Sequence, residues 1–100
     1  MLIIEGWLKL ATGEFDKVAE AARTMVAQTL KEPGCLRYAF ARDINDPDLI
    51  QIAERWESPE ALTAHGQSEH MAAFNQAMGT VTREGAELWL YSGEAVRRLM

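Results

Sequence analysis

The sequence predicts an α+β chain of order β-α-β-β-α-β, the split βαβ or ferredoxin-like arrangement with an antiparallel sheet. Three observations predict it. Apolar and partly alternating runs rich in β-formers recur at residues 2–10, 35–43, 49–57 and 87–92. Between them lie stretches with apolar residues at helical spacing. Turn chemistry separates the elements, most clearly at Pro33-Gly34 and at Asn45-Asp46-Pro47-Asp48.

In the first strand, Ile4, Gly6, Leu8 and Leu10 share one face, and Ile3, Glu5, Trp7 and Lys9 the other. Thr12-Gly13 breaks the run. From Glu14 a stripe of Phe15, Val18, Ala22, Met25, Val26, Thr29 and Leu30 marks a helix that Pro33-Gly34 ends. Cys35 to Asp43 is the second strand, with Leu36, Tyr38 and Phe40 on one face. The acidic turn joins it as a hairpin to the third, Leu49 to Glu57. Ser58-Pro59-Glu60 starts a short helix, with Ser as N-cap and Pro at the first helical position, and Gly66 stops it. Ser68-Glu69 starts another, carrying Met71, Phe74 and Met78, with Gly79 past its end. Glu87 to Ser92 is the fourth strand. The tail from Glu94 offers Val96, Leu99 and Met100 for docking on a partner subunit.

One hundred residues, 48% hydrophobic and 25% charged, fit a single domain over 1–100 with a core of about 3–91. A net charge of −5 argues against a nucleic-acid or anionic-membrane surface, which needs a basic patch. One cysteine, Cys35, leaves no internal disulfide and suits a reducing compartment; after a Pro-Gly turn it reads as a small buried hydrophobe. No basic n-region opens the chain, and no run approaches the roughly 20 apolar residues of a membrane span. The expectation is a cytoplasmic protein. Helices on one sheet face leave the other open, and Ile3, Trp7 and Ile52 are too apolar for water, so a homodimer joining two sheets is expected.

Chemistry concentrates after the third strand, where both histidines, His65 and His70, follow Glu54-Arg55-Trp56. Five residues on one continuous helix would set the histidines about 140° apart. Gly66 also interrupts that helix, and no His-Glu-x-x-His or Cys-x-x-Cys spacing exists, so no metal site is expected. No glycine-rich phosphate loop appears, so no nucleotide cofactor is expected either.

Taken jointly, Glu32-Pro-Gly-Cys-Leu-Arg-Tyr38, Asp46-Pro47, Glu54-x-Trp56, Leu62-x-x-His65, Ser68-x-His70 and Phe74 resemble the antibiotic biosynthesis monooxygenase (ABM) domain family, in its small quinol-monooxygenase-like bacterial members. The resemblance runs from about Ile3 to Tyr91. It implies a ferredoxin-like monomer whose dimer closes an α+β barrel, and cofactor-free oxygenation of a small phenol or quinol-type aromatic by O₂. The family also holds haem-degrading enzymes, similar at Trp56, but those use an asparagine in the first strand, which is absent here. It further includes an enzyme that processes a phosphorylated signal, and fold alone does not choose among these chemistries.

Oxygenation without metal or flavin makes the substrate its own electron donor, so the protein must supply a base, donors for the developing anion and a dry aromatic pocket. His65 is the candidate base or proton relay, with Glu54 its orienter. Trp56 and Tyr38 are candidate walls, Arg55 a candidate clamp for an anionic substrate, and His70 a neighbouring substrate contact. The bland reading stands beside each. His65 paired with Glu54 would equally tie a helix to the sheet, and Trp56 at a strand end would equally be core. Two other functions stay open. One is an isomerase or tautomerase of a small carbonyl compound using the same histidine; the other is a non-catalytic dimeric ligand-binding or stress-related module.

Overall fold

The computed structural model describes residues 1–100. Its elements are β1 (Leu2–Leu10), α1 (Phe15–Thr29), β2 (Cys35–Arg42), β3 (Leu49–Trp56), α2 (Pro59–Gly66), α3 (Glu69–Met78) and β4 (Arg83–Ser92). The strands form one antiparallel sheet in the order β2-β3-β1-β4, the ferredoxin-like topology.

The alternation of β1 sorts the sheet's faces. Leu8 and Leu10 are buried towards the helices; Leu8 lies opposite Ile50 of β3, and both leucines pack with Ile50, Ile52 and Val18 of α1. A second apolar cluster joins Ala22 and Met25 of α1, Tyr38 of β2, Trp56 of β3 and Phe74 of α3. Thr29 is fully buried in α1, and its hydroxyl donates to the Met25 carbonyl at 2.7 Å, so its polar atom is satisfied.

Three readings change. Ile52, expected on the open face, pairs with Gly6 and Phe40 on the helix side and is buried; the open face instead carries Ile3, Trp7, Trp89 and Tyr91. Leu36, expected to share a face with Tyr38, is 48% exposed. A bulge between Cys35 and Arg37 sets Cys35, not Leu36, in register with Trp56. β4 begins at Arg83 rather than Glu87, because pairing with Lys9 and Leu10 of β1 extends a segment whose own residues are poor strand formers. Gly66 is the last residue of α2, which ends there as expected.

Two glycines are demanded by geometry. A Cβ on Gly6 would sit 1.8 Å from the Glu87 carbonyl oxygen, so only glycine lets β4 approach β1 there. Gly34 adopts φ +83°, and a Cβ on it would meet that of Ala61 at 2.6 Å, so the turn into β2 packs directly on α2.

Candidate active site

β3 ends with Glu54 and Trp56 on the helix-facing side and Arg55 on the other, as strand alternation requires. Arg55 is exposed and opposite Ile3 and Arg37, so it does not reach the interior, and the clamp role expected for it has no place there. Trp56 is fully buried, and its indole N–H donates to Glu54 Oε1 at 3.0 Å. It is therefore a core residue that holds a carboxylate, and it is not in the wall of the cavity that Glu54 lines.

Glu54 is 7% exposed. Burial pushes its carboxyl above the ordinary glutamate value, while the Trp56 hydrogen bond and the His65 charge pull the other way and burial dominates. With Tyr38, Phe40, Ile52, Phe74 and Met78 it lines a cavity of about 160 Å³ between the sheet and α3. Asn75 and Arg83 add polar groups to that wall. The volume is close to the roughly 150 Å³ cavity that accepts benzene in a protein core. Burial, and the charges of Glu54 and Glu32, push the Tyr38 phenol far above its ordinary value, so it stays protonated and remains a donor. A larger groove of about 440 Å³ runs along α1 and β2, but apolar side chains, Arg23 and Arg42 line it, with no acid, base or nucleophile.

The partner of His65 is not the one expected. His65 Nδ1 lies 2.7 Å from Glu32 Oε2, and His70 Nε2 lies 3.1 Å from the same oxygen. Glu54 is occupied by Trp56 instead, so the orienting carboxylate of His65 is Glu32, in the turn after α1. Hydrogen bonds fix all three residues. The Glu32 N–H donates to the Thr29 carbonyl, and the Cys35 N–H donates back to the Glu32 carbonyl. Ser68 caps α3 by accepting from the Met71 N–H, and its hydroxyl donates to the His65 carbonyl at 2.7 Å, locking the α2–α3 corner.

His65 is buried, its ring centroid 4.9 Å from that of Trp56 and 5.1 Å from that of Tyr38. His70 turns to Glu32 and is not in the cavity wall, so the substrate contact expected of it is not where the structure places it. Because the two histidines sit on separate helices, their angular spacing on one helix does not apply. Burial and the Glu32 charge raise the Cys35 thiol, which marks it as unreactive. Sequence reasoning missed Glu32 as a site residue, although it stands first in the Glu32-Pro-Gly-Cys motif. No helix is long and apolar enough to cross a membrane.

Comparison with known proteins agrees with this architecture. The family model described as "Antibiotic biosynthesis monooxygenase" matches residues 1–77. A protein of Escherichia coli (strain K12) named "Probable quinol monooxygenase YgiN" is 32% identical over 88 residues, covering 78% of this chain and 85% of that one. Among solved structures, PA3566 from Pseudomonas aeruginosa superposes with a TM-score of 0.83 at 24% identity, over 94% of each chain. Rv0793 from Mycobacterium tuberculosis gives 0.82 at 16% identity, over 94% of this chain and 95% of its own. These two structures share the fold, and the family match together with the Escherichia coli relative goes further: this chain belongs to the antibiotic biosynthesis monooxygenase family.

Proposed function

We propose that the protein is a cofactor-independent monooxygenase that oxidises a small monocyclic quinol or phenol with O₂, working as a homodimer. The observation that carries the reading is Glu54, a buried carboxylate with a raised pKa in the wall of an aromatic cavity sized for one ring. The quinol O–H bond breaks, its proton passes to the Glu54 carboxylate, and the electron pair stays on oxygen. Tyr38 O–H donates to the resulting anion, which apolar walls keep from water. The anion passes one electron to O₂, and the aryloxyl radical and superoxide combine to form the new C–O bond. Over the whole reaction, hydroquinone plus O₂ gives hydroxyquinone plus water. The substrate supplies all four electrons, so no external reductant enters.

Here Glu54 takes the role of base. His65 is held by Glu32 beside Tyr38 and Trp56 and is not among the residues of the cavity wall, so in place of the base or relay expected of it, it acts on Glu54 through its charge. Trp56 is a positioning residue. The name of the Escherichia coli relative supports the quinol class.

Oxygen uptake with substituted hydroquinones, against the autoxidation background and without added flavin, tests the reading. Glu54→Gln keeps an acceptor for Trp56 but cannot take a proton, and is expected to lose about 10²–10⁴-fold in rate. Uptake equal to wild type removes Glu54 as base. Turnover of a carbonyl isomer under argon would replace the oxygenase with an isomerase.

A further inference from the structure

We propose that Glu32, His65 and His70 form a three-ligand site for a first-row divalent transition-metal ion, with its remaining positions open to water. Three elements meet here: the turn after α1, the end of α2 and the start of α3. One ligand atom from each residue lies within 4.8 Å of the others, and both imidazole nitrogens converge on a single carboxylate oxygen. Neutral imidazole suits Zn²⁺, Co²⁺ and Fe²⁺, and two histidines with one carboxylate are a ligand set these ions use while keeping open positions. With bonds of about 2.0–2.1 Å, tetrahedral donors stand roughly 3.3 Å apart. The observed 2.7 and 3.1 Å separations from Glu32 Oε2 need to open by about 0.6 and about 0.2 Å.

The surroundings favour such an ion. The Glu32, His65 and His70 side chains are only 14%, 6% and 18% exposed, so they are held in place yet reachable from solvent. The His65 ring is fixed against Tyr38 and Trp56, and the Ser68 bonds fix the corner between the two helices. A ligand set that is ordered beforehand loses little entropy on loading. Coordination has one consequence for His65. An ion on Nδ1 leaves the neutral ring's single proton on Nε2, so loaded His65 is a donor there and no longer accepts a proton. Metal occupancy is therefore a brake on any proton relay through this ring.

The test is titration of chelator-stripped protein with Co²⁺, read by visible d–d absorption, then displacement by Zn²⁺. The expected result is one Co²⁺ per chain, full displacement by Zn²⁺, and shifts of the His65 and His70 ring signals in NMR. Glu32→Gln and His70→Ala alter partly exposed side chains and are checked for folding by circular dichroism. Each is expected to weaken binding by more than the roughly 10–100-fold lost when only a group supporting a ligand is removed. Less than one ion per chain, or wild-type affinity in either variant, overturns the site. No quinol enters this titration. Metal-free protein that consumes O₂ with quinols yet binds no Co²⁺ would sink the metal site alone.

Discussion

Glu54 shows how one side chain acquires a function from its surroundings. Its carboxyl titrates above the ordinary glutamate value because desolvation outweighs the Trp56 hydrogen bond. The folded chain thus keeps a proton that the unfolded chain has already released, and stability falls as pH rises from the ordinary value towards the raised one. In calorimetry, Glu54→Gln is expected to melt above the wild type at neutral pH, with the advantage shrinking as pH falls to the ordinary glutamate range. An advantage independent of pH would contradict a costly buried charge. Trp56 acts through the same carboxylate. Its N–H stabilises the ionised form, so Trp56→Phe raises the Glu54 pKa further and moves the acid limb of kcat/KM to higher pH. An unmoved limb would show that the limb belongs to another group.

At the scale of elements, function rests on how short helices are started and joined. α2 has only eight residues, too few to persist on propensity alone. It is set by Ser58, whose Oγ accepts from the Ala61 N–H at 3.2 Å, by Pro59, and by packing on Gly34. Ser58→Ala is expected to cost about 1 kcal/mol in denaturant unfolding. The loss is expected to loosen His65 before the sheet, seen as faster amide exchange in α2 with β3 unchanged. Uniform acceleration across the chain would deny α2 this separate behaviour. The start of this helix was legible as Ser-Pro-Glu, because capping is local chemistry. The bulge that exchanges Leu36 for Cys35 was not, because it answers to the register of β3.

For the whole molecule, the helices cover β2, β3 and β1 but leave β4 bare. Leu88, Trp89, Leu90 and Tyr91 are about half exposed on both faces of this edge strand. Four consecutive large apolar residues on a sheet edge are a surface that soluble proteins rarely leave open. The homodimer proposed above would cover them, together with Ile3 and Trp7. Arg83, Ala86 and Leu88 also form the exposed wall of the 160 Å³ cavity, so association through β4 would complete the substrate's enclosure. Trp89→Glu is expected to turn a sedimenting dimer into a monomer and to raise KM for the quinol. A wild type that sediments as a monomer would remove the dimer.

Strand and helix order came directly from the chain, because apolar period and turn residues are local properties: β1, each strand of the β2–β3 hairpin with the turn between them, and the caps at Ser58 and Ser68 could be read from short local segments. The importance of the Glu54–Trp56 and His65–His70 segment was equally visible there. Partnership was not. That Glu54 belongs to Trp56, that His65 and His70 both turn to Glu32, and that Arg55 faces away are decided by sheet register and by the meeting of α1, α2 and α3. A hydrogen bond across 33 residues depends on where two backbones are brought by packing elsewhere, and no local pattern encodes that distance.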